Sequence, residues 1–425
     1  MTAKNYPGPD SIHRHQLENG IVVLAYENFA SESIEVEGLV WAGALGEDHN
    51  QAGLAAFTAR TLMRGTQNRS FESLYDELES VGAQLGFSAG RHTTGFSAAS
   101  LAEDLDLVLT LAADTLRNPV FPADHVEKVR GEILTGLQIQ ANDTRSQASK
   151  AFYALLYNGH PYGTELSGTP ETVTSLTPED LHAFHAAYYG PRQMIVTIVG
   201  AVKAEEAVDK VRRVLGDWSR PGQLTLPDVP DAARPPSITR THVRMAEKTQ
   251  SDIVMGLPGP RRSAPDFQDA RLANTILGVF GMYGRLGKTV REEQGLAYYV
   301  YSRLSGSLGP APWIAGTGVA PDKVEQAIAG IRQEIHRIQD ELVPVEEVED
   351  SKAYLTGSLP VSLETNDGLA SIITDMEVYN LGLDYLRRYP DMVNEVTPER
   401  VQAAARKYFS ADEIAIAVAG PDMNA

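Results

Sequence analysis

The sequence of 425 residues contains no cysteine. This excludes disulfide bonds, thiolate zinc sites, iron–sulfur clusters and a cysteine nucleophile. The sequence also lacks a run of the roughly 18 to 20 apolar residues that a membrane-spanning helix needs. The first ten residues have no apolar core of the kind that a secretory signal carries. We therefore expect a cytoplasmic protein that has no membrane partner.

Basic residues are the minority among the charged ones. Lys and Arg number 37 against 56 for Asp and Glu, which gives a formal net charge of −19. This charge is spread along the chain, and such a surface repels phosphate backbones and anionic lipids. The sequence also contains no Walker A motif, and no Gly-x-Gly-x-x-Gly follows a predicted strand. We expect no nucleic-acid partner and no dinucleotide or P-loop chemistry.

One stretch has the composition of a linker. Residues 219–237 hold five of the 24 prolines and show no sustained hydrophobic period. Proline removes backbone donors and favours an extended backbone in the residue before it, so this segment is predicted to be extended. It divides the chain into an N-terminal module, 1–218, the linker, 219–237, and a C-terminal module, 238–425.

The two halves repeat one pattern. Thr177-Pro-Glu and, 220 residues later, Thr397-Pro-Glu each begin a predicted helix, with Thr as N-cap and Pro at the first helical position. Each helix leads to an apolar strand, 194–200 or 414–420, that ends at glycine. The shared register predicts an internal duplication of one module built from strands and helices.

Two segments resemble a known family. The first is Gly53-Leu-Ala-Ala-Phe-Thr-Ala-Arg, followed by Met-Arg-Gly-Thr66, and the second is Val290-Arg-Glu-Glu-Gln-Gly-Leu-Ala-Tyr298. Together they resemble the pitrilysin/insulinase-type metallopeptidases, the inverted zincins. The family's first segment carries two zinc-binding histidines and a general-base glutamate. The resemblance extends over nearly the whole chain and implies an α+β fold of two homologous modules, each a mostly antiparallel sheet with packed helices.

The zinc motif itself is missing. The positions of the two histidines and the base fall on Ala56, Arg60 and Ala59, and the position of the third ligand, a glutamate, falls on Gly136. Alanine and glycine side chains offer no lone pair, and Arg60 places a fixed cation at a metal-ligand position. We therefore expect no metal site, no catalytic residue and no cofactor in this chain. By the resemblance, zinc is expected only in a partner subunit.

The second segment keeps the family's other pair, Arg291 and Tyr298. The resemblance implies that they bind peptide substrate, since a guanidinium suits a carbonyl or carboxylate and a phenol can donate to an oxygen that gains charge. Residue pattern alone favours a structural role, with Arg291 a cation near a helix C-terminus and Tyr298 a half-buried strand residue. The match of the surrounding segment favours the binding role.

The resemblance implies a proteolytically inactive subunit of a heterodimeric zinc metallopeptidase. Its partner would be a paralogous subunit that carries the zinc motif, and the substrate an unfolded peptide. The alternative is a homodimeric peptide-binding or scaffold protein that resembles the core proteins of a respiratory complex. A third hypothesis is an active peptidase whose zinc is held by His182 and His185, three residues apart on one predicted helix, although the sequence offers no further ligand.

Overall fold

The computed structural model describes residues 6–279 and 284–422. The strands are β1 (Ile12–Gln16), β2 (Val22–Glu27), β3 (Ser33–Val40), β4 (Gln84–Ala89), β5 (Thr94–Leu101), β6 (Ile195–Gly200), β7 (Thr239–Arg244), β8 (Ser251–Pro258), β9 (Ala297–Leu304), β10 (Pro312–Val319) and β11 (Ala415–Gly420). The helices are α1 (Leu54–Thr61), α2 (Phe71–Ser80), α3 (Leu105–Arg117), α4 (Ala123–Ala141), α5 (Thr144–Leu156), α6 (Pro170–Ser175), α7 (Pro178–Tyr188), α8 (Ala204–Leu215), α9 (Phe267–Asn274), α10 (Val324–Asp340), α11 (Val345–Ser362), α12 (Asn366–Val378), α13 (Tyr385–Asn394) and α14 (Pro398–Tyr408).

The chain divides into two units, each assembled from three segments. The first unit comprises residues 1–137, 165–228 and 360–388, and the second comprises 138–164, 229–359 and 389–425. Residues 219–237 contain neither helix nor strand. The division of the sequence at 218 and 238 stays a prediction.

The first unit is built on a six-stranded sheet with the order β1-β2-β6-β3-β5-β4. All neighbouring strands are antiparallel except β2 and β6. The central strand β6 is buried along its whole length. The strand lies in an apolar core that includes Ile21, Phe57 and Leu105. The alternating pattern of β3 puts Ile34 and Val36 into this core and leaves Glu35 and Glu37 half-buried on the other face.

The second unit repeats this arrangement with five strands in the order β7-β11-β8-β10-β9. Only β7 and β11 are parallel, in the same place as the parallel pair of the first sheet.

Thr177 and Thr397 cap α7 and α14 as the sequence predicts, since each side chain accepts a hydrogen bond from the third backbone N–H of its helix. The predicted duplication and the predicted α+β class with mostly antiparallel sheets are confirmed.

Each unit takes one helix from the opposite half of the sequence. In the first unit α12 packs on β3 and β6, where the hydroxyls of Thr374 and Thr197 lie 2.7 Å apart. In the second unit α5 packs on β11, β8 and β7. The exchanged helix covers one face of the sheet in each unit. The duplicated pattern does not predict this exchange, because hydrophobic periodicity does not say which sheet a helix covers.

No helix within 6–279 and 284–422 is long and apolar enough to cross a membrane. The cytoplasmic location stays a prediction.

A group of carboxylates lies where α12 covers β3. Burial, together with the negative charges of Asp375, Asp367 and Glu35, raises the pKa of Glu37 to about 7. Burial and Asp367 likewise raise the pKa of Glu35. The folded protein therefore binds protons at this contact more tightly than an unfolded chain does.

Glu37→Gln should stabilise the protein at pH 8. The pKa of Glu37 is about 7 when folded against 4.5 for a free side chain, so the carboxyl opposes folding only once it ionises, as pH rises from 4.5 through 7. We expect the free energy of unfolding to rise by about 1–2 kcal/mol at pH 8, a value that allows for solvent screening, and to stay unchanged below pH 4.5. Chemical denaturation at both pH values measures it.

The control is Glu18→Gln, which neutralises an exposed glutamate. An equal gain in stability at both pH values, or the same gain in the control, would contradict the proposed origin of the effect.

Candidate functional site

The positions of the family's zinc motif lie on α1. Gly53 precedes this helix with φ +95°, and the Glu47 carboxylate accepts hydrogen bonds from the N–H groups of Gly53 and Ala55 at 3.1 and 2.6 Å. Burial raises the pKa of Glu47 to about 7, against the effect of these two hydrogen bonds. The first N–H groups of α1 therefore have an acceptor, although the helix lacks the zinc motif.

The motif positions carry no ligand set. Ala59 is buried, Ala56 is half-buried and Arg60 is exposed. Arg64, one turn beyond Arg60, pairs with Glu132 of α4 at 3.1 Å. That contact brings α4 close to the end of α1, and Gly136 lies one turn further along α4 with open space where a Cβ would be.

These residues do not fit a zinc ion. Three of the four positions have no donor atom, and the fourth is a permanent cation. Over residues 6–279 and 284–422 no group of three or more His, Asp or Glu side chains could hold a metal.

His182 and His185 lie on α7 and both face the turn at Phe121. The Nε2 atom of His182 lies 3.2 Å from the carbonyl oxygen of Val120, and that of His185 lies 2.8 Å from the carbonyl oxygen of Leu116. Both rings pack edge-on against Phe121, which has φ +42°. Burial lowers the pKa of His185 to about 4, so the ring is neutral at pH 7. The pair stabilises a strained turn, and the structure offers no support for a zinc site at these histidines.

Arg291 lies on a π-helical segment, Gly287–Glu293, in the second unit. Thr289 lies on the buried side of this segment, and its hydroxyl donates a hydrogen bond to the Glu334 carboxylate at 2.8 Å. Glu334 is only 1% exposed and also accepts from Arg337 at 3.0 Å. A buried carboxylate requires such donors, so Glu334 holds the helix that carries Arg291 in place.

The chain turns sharply between Arg291 and Tyr298. Gly295 has φ +61°, the left-handed conformation that commonly ends a helix. The N–H of Leu296 donates to the carbonyl of Val290 at 3.0 Å, and β9 begins at the next residue.

The structure brings Arg291 and Tyr298 together. The guanidinium carbon of Arg291 lies 5.3 Å from the centre of the Tyr298 ring, a distance typical of a cation–π contact. The side chain of Arg291 is 33% exposed, and its nearest carboxylate among the described residues is that of Glu292, at 3.7 Å. Tyr298 is 85% exposed. Residue pattern alone predicts a half-buried Tyr298, and this prediction is wrong.

A β-bulge explains this exposure. Ala297 pairs with Val319 and Tyr299 pairs with Gly318, so Tyr298 is the extra residue on its strand and has no partner on β10. Bulges interrupt a ladder and redirect a side chain. The pair therefore presents a guanidinium and a phenol to solvent on one surface, and both groups can donate hydrogen bonds.

Sequence reasoning missed Glu334 and the bulge. Glu334 carried a signal, since it is a charged residue within the buried stripe formed by Ile331, Ile335 and Ile338 on α10. The bulge carried none, because strand pairing is decided by residues on β10 that are distant in sequence.

Comparison with known proteins gives a consistent result. The family model described as insulinase (peptidase family M16) matches residues 22–170, and the model described as peptidase M16 inactive domain matches residues 175–355. A protein of Mycobacterium leprae named an uncharacterized zinc protease is 26% identical, over 96% of this chain and 91% of its own length.

Solved structures share the fold over the whole chain. The crystal structure of a peptidase M16 inactive domain from Pseudomonas fluorescens has a TM-score of 0.90 at 26% identity and covers 96% of this chain and 98% of its own. A chain of complex III from Candida albicans has a TM-score of 0.79 at 16% identity and covers 96% and 95%. The second likeness concerns the fold alone.

The purified protein is expected to contain far less than one zinc per chain, because the motif positions lack donors. Elemental analysis by mass spectrometry measures the metal, and the melting temperature should be the same with and without EDTA. One zinc per chain, with a fall in melting temperature on chelation, would show that ligands other than the motif positions bind it.

Proposed function

Because this chain belongs to the insulinase family, peptidase family M16, we propose that it is a proteolytically inactive subunit of a heterodimeric zinc metallopeptidase. It binds an unfolded peptide and positions it for a partner that carries the zinc motif. The observation that carries this proposal is the contrast between the two sites. The metal positions hold Ala56, Ala59, Arg60 and Gly136, whereas the partly exposed Arg291 lies beside the exposed Tyr298.

The chemistry divides between the two subunits. Peptide hydrolysis in this family needs a metal-activated water and a general base, and this chain supplies neither. Its own contribution is positioning. The Arg291 guanidinium donates to a carbonyl or carboxylate of the peptide, and the Tyr298 hydroxyl donates to the carbonyl oxygen that gains charge during attack.

The geometry of the pair supports this role. The cation–π contact between Arg291 and Tyr298 fixes the two donor groups relative to each other before a peptide binds. Glu292 is the nearest carboxylate to Arg291, but at 3.7 Å and on an exposed surface it competes weakly with a bound peptide. Positioned donors accelerate a reaction by reducing the cost of orienting the substrate.

The partner can be identified by affinity purification of this chain from native lysate. We expect a subunit of similar size that carries the zinc motif to co-purify in equal amount, with peptidase activity in the complex. Recovery of this chain alone, as an inactive dimer, would instead favour the homodimeric binding or scaffold function.

Arg291→Ala should lower turnover of a fluorescence-quenched peptide by the assembled complex, by about ten- to a hundred-fold, since a positioned charged donor is lost. Because Arg291 is partly exposed and forms no buried ion pair with any residue that the structure describes, the melting temperature should not change. The comparison variant is Lys288→Ala, which removes an exposed cation from the same helical segment. Equal activity of the wild-type and Arg291→Ala complexes would show that Arg291 does not position the peptide.

A further inference from the structure

Tyr298 is the extra residue of a β-bulge. The bulge stays at this residue only if the strand pairing beside it is fixed. The residue after it, Tyr299, pairs with Gly318 of β10, which in turn pairs with Asp252 of β8. Residues that pair directly across a sheet point to the same face. Asp252, Gly318 and Tyr299 therefore form one row across three strands.

The two ends of this row are joined by a hydrogen bond. The hydroxyl of Tyr299 reaches over Gly318 and donates to Oδ1 of Asp252. Burial raises the pKa of Tyr299, and the hydrogen bond to Asp252 raises it further, so the hydroxyl keeps its proton and remains a donor.

Gly318 makes this reach possible because it has no side chain. A Cβ at this position would lie 2.8 Å from Cε1 of Tyr299 and 2.4 Å from Nε2 of Gln250. The ring of Tyr299 thus occupies the space in which any other residue would place its side chain. Tyr301 and Gly316 form a similar pair on the same strands, since a Cβ on Gly316 would lie 2.6 Å from the Tyr301 hydroxyl.

Asp252 is a fixed anchor. It is 2% exposed, and its Oδ2 accepts from the hydroxyl of Thr144 at 2.5 Å and from the amide of Gln250 at 3.1 Å. A buried carboxylate is costly unless its lone pairs are satisfied, so the Tyr299 hydroxyl is one of the donors that Asp252 needs.

Tyr299 is held at two further points. Its carbonyl oxygen accepts from the hydroxyl of Thr317 at 2.7 Å, and the guanidinium of Arg145 lies 4.4 Å from the centre of its ring. The residue next to the bulge is therefore fixed through its backbone, its ring and its hydroxyl, whereas Tyr298 itself is exposed.

We propose that Asp252, Gly318 and Tyr299 form a cross-strand lock that holds the bulge and so positions the phenol of Tyr298 beside Arg291. Tyr299 is a positioning residue, which acts on a bound peptide only through Tyr298. The consequence for catalysis rests on the proposed function, but the lock itself does not.

The lock is tested first without any substrate. Tyr299→Phe removes only the hydroxyl, and Gly318→Ala displaces the ring. Amide hydrogen exchange of residues 296–300, measured by mass spectrometry on the full chain, should become about ten-fold faster in both variants, because local opening exposes the bulge.

The matched controls are Tyr301→Phe and Gly316→Ala, which make the same changes one pair along the strands. We expect wild-type exchange at residues 296–300 in both. Unchanged exchange in Tyr299→Phe and Gly318→Ala, or equal acceleration in the controls, would overturn the lock.

The second test uses the assembled complex and a fluorescence-quenched peptide. Tyr299→Phe should lower kcat/KM by about ten-fold, since a displacement of about 1 Å at a positioning group is enough for such a loss. In a Tyr298→Ala background the same substitution should change kcat/KM by less than about two-fold, because residues that act as one unit are not additive. Full additivity would show that Tyr299 acts on the structure in general and would overturn the positioning role.

The two proposals fail in different ways. If Arg291→Ala and Tyr298→Ala leave kcat/KM unchanged, the proposed function is wrong, and the exchange measurements still decide the lock. If those variants lose activity while Tyr299→Phe exchanges faster and keeps wild-type kcat/KM, the pair binds peptide and the lock does not position it.

Discussion

The burial of two apolar sheets is the constraint on which the rest of this structure depends. Strands β6 and β11 are buried at every residue, and so are β8 and β10. A strand of this kind must be covered on both faces, because apolar surface left in water costs free energy in proportion to its area. In each unit one of the covering helices, α12 or α5, comes from the opposite half of the sequence. The duplicated halves are therefore not the structural units.

The metal positions and the Arg291 and Tyr298 pair differ in how much of the fold they require. A metal site depends on a few donor atoms, and substitution at four positions removes it while α1, its glycine N-cap and its packing remain. The Arg291 and Tyr298 pair depends on much more. It needs a buried acid, Glu334, below one helical segment, a glycine turn at 295 and a bulge against β10. The pair therefore depends on tertiary contacts that the four metal positions do not require.

Two buried carboxylates of the second unit contact residues close to this pair in sequence, Thr289 and Tyr299. Glu334 and Asp252 are both almost fully buried, and each is satisfied by neutral or cationic donors from neighbouring elements. Buried carboxylates contribute little net stability, but they impose a single geometry because few arrangements satisfy all their lone pairs. The side chains of Arg291, partly exposed, and Tyr298, exposed, are thus attached to backbone that is held by buried hydrogen bonds.

The sequence by itself determined the duplication, the helix caps at Thr177 and Thr397, and the absence of zinc ligands at Ala56, Ala59, Arg60 and Gly136. These features depend on local chemistry and on spacing within a few residues, which a sequence states directly. The tertiary structure decided the exchange of α5 and α12, the packing role of His182 and His185, and the bulge that exposes Tyr298. Each of these depends on which distant residues pair, such as Ala297 with Val319 or His185 with Leu116. Such pairings follow from the packing of whole sheets and leave no periodic signal in the sequence.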